Sequence, residues 1–445
     1  MKYHIVTLGC QMNLSDSERV ISVLEDAGYS WTDNEEEAGL IGIIACSVRQ
    51  KAIDKVYSRI YKWNKWKNNK NLITFISGCI LPSDHEKFLK LFDITFQMKD
   101  LPKLPEMISR YGVITPVHLK AGIDPHNENI EQFWNVKPAY QSEFEAFVPI
   151  QNGCDKFCTF CAVPYTRGRE VSRPSRDIIA EVELLVAQGY KTITLLGQNV
   201  NSYGLDKKGD EINFAQLLRE IGEFGNRSKK DFWVYFTSPH PRDMNDEVLE
   251  VIAEYKVLGK QIHIPMQSGD DEVLKRMNRK HNLETYRKII HSIRRLLPQA
   301  TIFTDIIVGF TGETEEQFEN SRLAMEEFKF NMSYTAIYSP RPGAASHEWV
   351  DDISQNEKKR RLHVLTEELR KHNLPFNKKM VGKTVRVLVR NTDRKEGYLT
   401  SHTEGKLIIR FASADKSLIG RFADVKITSA SDFSMEGELV VPETV

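Results

Sequence analysis

Cys154-Asp155-Lys156-Phe157-Cys158-Thr159-Phe160-Cys161 sets three cysteines in the spacing C-x3-C-x2-C, inside a longer run from Gln151 to Pro174. Three thiolates this close can converge on one metal centre, but they cannot supply the fourth ligand of a closed all-cysteine zinc or iron–sulfur site. A centre held this way keeps a position open to a substrate or cofactor, as chemistry requires and bracing does not. The competing readings ask for features missing around this run. A zinc ribbon needs a second cysteine pair, and none follows Cys161; a disulfide framework needs an export signal; buried structural cysteines would not crowd into one short loop.

Past this run the chain alternates. Ile178, Ile179, Val182, Leu185 and Val186 share one helical face between Ser175 and Gln188, and Gly189 stands where a left-handed stop belongs. Strand-like segments are read at Ala146 to Gln151, Thr192 to Leu196, Trp233 to Thr237, Gln261 to Pro265, Ile302 to Val308 and Ser333 to Tyr338. About six βα units make an incomplete barrel rather than a full TIM barrel, with ligand contacts at the C-terminal strand ends. Polar residues fall at those ends: Gln198 and Asn199, Ser238, Gln267 and Glu313. Singly each is a turn signal; a shared mouth facing the cysteines makes them a candidate site. Arg167, Arg169, Arg173 and Arg176 follow the cysteines, and Arg341 follows the last strand.

The first third reads strand, helix, strand, helix, strand, the pattern of a parallel sheet with covering helices. The strands are Lys2 to Gly9, Leu40 to Ala45 and Asn71 to Ser77; Ser15, with Glu18 as capping-box partner, opens the first helix, and the second runs to about Lys67. Cys10, Cys46 and Cys79 each lie just past a strand, and the carboxyl ends of parallel strands share one edge where ligands bind. A second open three-thiolate centre is therefore expected, against the alternative of three unrelated buried cysteines.

Lys51, Lys55, Arg59, Lys62, Lys65, Lys67 and Lys70, interleaved with Tyr57, Tyr61, Trp63 and Trp66, give the second helix a face able to hold phosphates and stack bases, unless it is simply solvated. Periodicity fades from Tyr111 to about Tyr140. A charged helix from Ser354 to about Lys379 leads to strand-like segments at Gly382 to Val389, Lys406 to Phe411, Arg421 to Thr428 and Gly437 to Val441, a small barrel of the oligonucleotide-binding sort. Lys378, Lys379, Lys383, Arg386 and Arg390 give it a basic flank. The fold class is thus α/β: an N-terminal parallel α/β domain (1–118), a linker (119–140), a partial (βα)6 barrel (141–376) and a small all-β barrel (377–443).

A chain of 445 residues, 41% hydrophobic and 27% charged, has the composition of an ordinary globular protein with two or three cores. No apolar run approaches the ~20 residues of a membrane span, and the chain opens into a strand rather than a signal peptide, so a cytoplasmic location is expected. There, cysteines argue for metal or redox work rather than disulfides. With 61 basic and 61 acidic residues the net charge is zero, and nucleic-acid binding must rest on local patches.

The spacing with Phe160 just before Cys161 resembles the radical S-adenosylmethionine (SAM) enzymes. Together with Gly9-Cys10-Gln11-Met12-Asn13, Asp16-Ser17-Glu18-Arg19, Val163-Pro164-Tyr165-Thr166-Arg167-Gly168 and Val171-Ser172-Arg173-Pro174, essentially the whole chain is similar to the radical SAM methylthiotransferase family, in its tRNA-acting MiaB type. The resemblance implies two 4Fe-4S clusters, one on Cys154, Cys158 and Cys161 and an auxiliary one on Cys10, Cys46 and Cys79. It implies SAM as both methyl donor and radical source, and the strand-end residues Gln198, Asn199, Ser238, Gln267 and Glu313, with Phe160 and Arg173 beside the cysteines, are the contacts expected for it. The reaction would place a methylthio group on carbon 2 of N6-isopentenyladenosine beside the anticodon, with a TRAM-like C-terminal domain gripping the RNA. Partners implied are the tRNA anticodon stem-loop and an electron donor such as a flavodoxin or ferredoxin, with no membrane and the chain a monomer. The same chemistry on a ribosomal-protein aspartate or on threonylcarbamoyl-adenosine, and a non-catalytic iron–sulfur RNA-binding sensor, are the alternatives. Ala45, Ile80-Leu81-Pro82, Tyr235 and Thr311 depart from the family pattern without loss of a ligand.

Overall fold

Leu40–Cys46 is buried along its whole length, as a strand covered on both faces must be. In a computed structural model, which describes residues 1–47, 50–110 and 130–440, it is the middle strand of a five-stranded parallel sheet. The strands β1 (Lys2–Leu8), β2 (Ser30–Trp31), β3 (Leu40–Cys46), β4 (Ile73–Cys79) and β5 (Ile94–Thr95) lie in the order β2-β1-β3-β4-β5, with α1 (Gln11–Asp26), α2 (Gln50–Trp66) and α3 (Pro82–Leu89) between them in sequence. The sequence placed the start of α1 wrongly. Cys10 is its N-cap, with the Asn13 side chain accepting from the Cys10 N–H, and Ser15 and Glu18 sit a turn inside, both buried. They face the next domain instead: Ser15 Oγ donates to the Phe147 carbonyl, and Glu18 accepts from the Gln141 N–H.

The linker expected at 119–140 begins in residues outside those described. After α4 (Leu104–Ser109), its described part contains α5 (Ile130–Asn135), whose Ile130, Phe133 and Trp134 are buried in the N-terminal core.

The barrel is built from β6 (Glu145–Pro149), β9 (Thr192–Leu196), β10 (Trp233–Phe236), β11 (Gln261–His263), β12 (Thr301–Val308) and β13 (Met332–Ile337). They pair in parallel as β6-β9-β10 and β11-β12-β13, and an isolated parallel bridge from Val234 of β10 to Leu258, in the segment leading into β11, sets the two triplets side by side. The short strands β7 (Gln151–Asn152) and β8 (Val171–Ser172) pair antiparallel and pinch off loop 153–170, which contains α6 (Val163–Arg167). The helices α7 (Ser175–Gln188), α8 (Phe214–Ser228), α9 (Asp246–Glu254), α10 (Asp271–Arg276), α11 (Leu283–Leu296) and α12 (Glu315–Phe328) alternate with the strands, and α7 stops at Gly189 with φ of 98° as expected.

Ser354 caps α13 (Gln355–Lys378), which leads to β14 (Thr384–Thr392), β15 (Tyr398–Thr403), β16 (Ile408–Ala412), β17 (Phe422–Ala430) and β18 (Met435–Leu439). These close a barrel in the order β14-β15-β16-β18-β17; β15 is a strand that the sequence pattern did not separate. The small barrel seats on the N-terminal strand ends of the large one. Arg390 pairs with Glu145, Phe422 packs on Trp233 with ring centroids 4.7 Å apart, and Thr301 Oγ1 donates to the Gly405 carbonyl at 2.6 Å. Each of those three partners opens a barrel strand, so the C-terminal strand ends lie at the opposite end, beside loop 153–170.

Candidate metal centres

The cysteine loop is entered through Gly153, whose φ of 81° and close approach to the Arg169 carbonyl leave no room for a Cβ. Its backbone is then tied to the barrel mouth. The Thr159 N–H donates to the Met277 carbonyl at 3.0 Å, Asn278 Nδ2 donates to the Phe157 carbonyl at 2.8 Å, and Lys156 Nζ pairs with Asp243 Oδ2 at 2.6 Å. Cys154 and Cys158 are buried and Cys161 half-buried, with Arg279 Nη1 3.4 Å from Cys158 Sγ. Burial, reinforced by the neighbouring thiolates, pushes the Cys154 and Cys161 thiols up to about 12. Three thiolates packed together this dry require added positive charge, which the iron of a cluster supplies, so the donor set fits one. Phe160 packs against Val273, Met277, Phe310 and Tyr338.

The N-terminal trio also converges. Cys46 and Cys79 are register neighbours at the ends of β3 and β4, and Cys10 begins α1 just beyond β1. Asn13 binds them together: its Oδ1 lies 3.5 Å from Cys10 Sγ, and its Nδ2 donates to the Ala45 carbonyl at 3.0 Å with Cys79 Sγ at 3.9 Å. The bond to Cys46, then burial, raise the Cys79 thiol, against the pull of Arg167. No disulfide joins any of the six cysteines. Among the described residues, no group of three or more His, Cys, Asp or Glu side chains stands as the ligand set of a single metal ion. Thiolates around one zinc lie about 3.8 Å apart at the usual bond length of about 2.3 Å, whereas a four-iron cluster spaces its thiolates by its own width.

Arg167, on the loop that carries the second trio, reaches the first. Its Nε donates to Cys79 Sγ at 3.0 Å, Nη2 to Asp16 at 2.5 Å and Nη1 to Asn152 Oδ1 at 3.2 Å. Apolar contacts flank this junction, with Met12 against Phe147 and Leu196, and Leu81 against Ala162 and Ala344.

The other expected contacts divide. Gln198 and Asn199 lie at the end of β9; Asn199 Nδ2 donates to Asp243 and Ser202, while Gln198 Oε1 and Asn199 Oδ1 are buried without a partner among the described residues. Ser238 and Gln267 take left-handed backbone conformations past β10 and β11. Arg173 turns away, its guanidinium pairing with Glu181 at 2.5 Å and donating to the Pro149 carbonyl. Glu313 accepts from the Gly309 N–H and from Arg361, both at 2.7 Å, which fixes the loop after β12 to α13. The basic face of α2 is largely satisfied internally. Arg59 and Lys62 pair with Glu35, Lys67 pairs with Asp93, and Trp63 is fully buried, leaving Tyr61 as an exposed aromatic.

Several residues at the mouth escaped the sequence reading. Lys156, Asp243 and Arg279 gave no signal as partners. His240 follows Ser238 at the end of its strand and His281 gave no signal; their rings lie 5.7 Å apart, and burial first, then Arg279, lowers both, His281 to about 3. Asp16 and Arg167 did stand in conspicuous stretches, but nothing local joins them.

Comparison with known proteins matches residues 2–98 to the Uncharacterized protein family UPF0004, 148–323 to the Radical SAM superfamily and 378–440 to the TRAM domain. The chain is 38% identical to the tRNA-2-methylthio-N(6)-dimethylallyladenosine synthase of Yersinia enterocolitica, covering 99% of this chain and 93% of that one. The synthase of the same name from Cronobacter sakazakii is 37% identical over the same shares. Among solved structures, the radical S-adenosylmethionine methyltransferase TsrM from Kitasatospora setae superposes with a TM-score of 0.59 at 15% identity, over 78% of this chain and 75% of that one. That likeness is one of fold.

Proposed function

The chain belongs to the tRNA-2-methylthio-N(6)-dimethylallyladenosine synthases, within the radical SAM superfamily, and on that premise we propose how its residues divide the work. The protein is a tRNA methylthiotransferase, adding a methylthio group to carbon 2 of N6-isopentenyladenosine next to the anticodon. Cys154, Cys158 and Cys161 hold one 4Fe-4S cluster and Cys10, Cys46 and Cys79 an auxiliary one. When bound, the clusters supply reductive cleavage of SAM and a site for the sulfur to be transferred.

The chain's own residues do the rest. Lys156 with Asp243, and Asn278 with the Phe157 carbonyl, hold the cysteine loop against the barrel mouth. Phe160 backs that loop, and the partnerless oxygens of Gln198 and Asn199 are available to SAM or substrate. Ser238 and Gln267 line the same end. Arg173 and Glu313 act as framework rather than as contacts. A tRNA anticodon stem-loop, an external electron donor of the flavodoxin or ferredoxin kind, a monomeric state and a cytoplasmic setting complete the reading.

The observation that carries it is that Arg167, on the loop of one cysteine trio, bonds Cys79 of the other, which supports a reading in which both centres serve one substrate. The test is nucleoside mass spectrometry on tRNA bearing isopentenyladenosine after anaerobic incubation with reconstituted protein, SAM and reductant. A 2-methylthio product, absent in Cys154→Ala and in Cys79→Ala, is expected. SAM cleavage with an unmodified nucleoside would overturn the substrate.

A further inference from the structure

Arg167 follows Cys161 by six positions, yet its side chain serves the other trio. All three guanidinium nitrogens are engaged: Nε to Cys79 Sγ, Nη1 to Asn152 and Nη2 to Asp16. The side chain is 6% exposed and Asp16 is fully buried, so the bonds form out of water, where they are strong. Asp16 and Asn152 grip the two ends of the planar fork. That leaves Nε–H with one direction to point, at the Cys79 sulfur.

We propose that Arg167 is a positioning residue for the N-terminal centre, setting the reduction potential of its cluster through the N–H···S bond to Cys79. The inference rests on the reading of Cys10, Cys46 and Cys79 as cluster ligands. A hydrogen bond to a ligand sulfur stabilises the reduced, more negative cluster and so raises its potential. Lysine cannot replace this: its ammonium can pair with Asp16 as a point charge but has no fixed fork to aim a second donor. The bond also spans two domains, so the auxiliary centre acquires its final environment only when loop 153–170 is docked against α1 and β4.

A plain clamp between Asp16 and Arg167 would give stability without touching the potential, which makes the potential the discriminating measurement. The full-length chain carrying Cys154→Ala, Cys158→Ala and Cys161→Ala leaves only the N-terminal trio to be loaded. After anaerobic reconstitution, its midpoint potential is followed by electron paramagnetic resonance during a redox titration, with Arg167 intact, as Arg167→Lys and as Arg167→Gln. A more negative potential is expected in both variants, larger for Arg167→Gln, together with about 10- to 100-fold faster iron loss to a chelator in Arg167→Gln. Arg167→Lys keeps a cation beside Asp16 and carries the test if Arg167→Gln fails to fold. A potential in Arg167→Lys equal to that with Arg167 intact would overturn the inference. Failure of the chain with Arg167 intact to take up a cluster would overturn the ligand assignment beneath it, so the two failures are distinguishable.

Discussion

Asp243→Asn should release the cysteine loop from the barrel. Lys156 and Asp243 are 7% and 9% exposed, and their charged atoms lie 2.6 Å apart. Burial pushes the Asp243 carboxyl up, but bonds from Lys156 and Asn199 and the Lys156 charge overcome it and hold it below the usual carboxylate value. In the variant the ammonium stays buried beside a neutral amide. Removing one partner of a buried pair costs about 3–5 kcal/mol, chiefly for the charge left behind. At ~1.4 kcal/mol per decade, that is roughly a 10²- to 4 × 10³-fold increase in loop opening. Glu170 is the nearby anion able to substitute, and burial pushes its carboxyl up to about 7. The penalty should therefore be larger at pH 6, where Glu170 is mostly protonated, than at pH 8.

Hydrogen exchange reads the opening directly. The Thr159 amide, bonded to the Met277 carbonyl at 3.0 Å, reports whether the loop is seated. Its protection should fall by about 10²- to 4 × 10³-fold at pH 6, up to the limit set by the loop's own opening free energy. Lys156→Met should cost less, because Asp243 keeps Arg242 Nε at 2.9 Å and Asn199 Nδ2 at 3.1 Å. A fall of less than about threefold at Thr159, or a Lys156→Met penalty equal to that of Asp243→Asn, would refute the clip.

Burial lifts the Glu18 carboxyl to about 7, against the Gln141 amide and the Arg19 charge. A raised folded pKa gives stability that is complete below the ordinary value of 4.5 and lost as pH rises through about 7, so Glu18→Gln should raise Tm at pH 8 and leave it unchanged near pH 5; equal shifts at both would contradict this. Gly153→Ala forces a Cβ into the Arg169 carbonyl at a φ of 81°, and should lower iron per chain by one cluster's worth while the N-terminal trio still loads; undiminished iron counts against it. Lys378, Lys379 and Lys383 are exposed, and replacing all three by Ala should weaken tRNA binding and reduce its salt slope by roughly 0.7–0.9 for each phosphate no longer neutralised, an unchanged slope excluding that flank from the RNA site.

Periodicity made the architecture legible, because strands and helices bury one face or stripe and that spacing is written locally. The six barrel strands fall within a few residues of where alternation placed them, from Glu145–Pro149 to Met332–Ile337. Both cysteine trios were legible for a related reason: the loop trio is close in sequence, and Cys46 and Cys79 occupy one register in a parallel sheet. The start of α1 was not legible. Ser15 and Glu18 have capping-box spacing, but they sit inside the helix with polar groups buried against Phe147 and Gln141 of another domain, and no local pattern announces a distant partner.

The arginines show why that limit matters for function. Sequence gives the charge of a side chain and not what neutralises it, so Arg173, Arg386 and Arg390 read alike as ligand or RNA contacts. The fold gives Arg173 to Glu181, Arg390 to Glu145, and Arg386 to Asp231 with its guanidinium 4.3 Å above the Phe422 ring. With 61 residues of each sign, an internal carboxylate is a common fate of a cation in this chain. The informative cations are those that depart from it. Arg167 meets a carboxylate and still directs a third donor at a cysteine sulfur. Lys378, Lys379 and Lys383 stand exposed on one short stretch with no ion pair among the described residues, although acidic side chains are as numerous as basic ones. Unneutralised charge kept together on the small barrel's flank is the local patch that a chain of zero net charge needs in order to hold a polyanion.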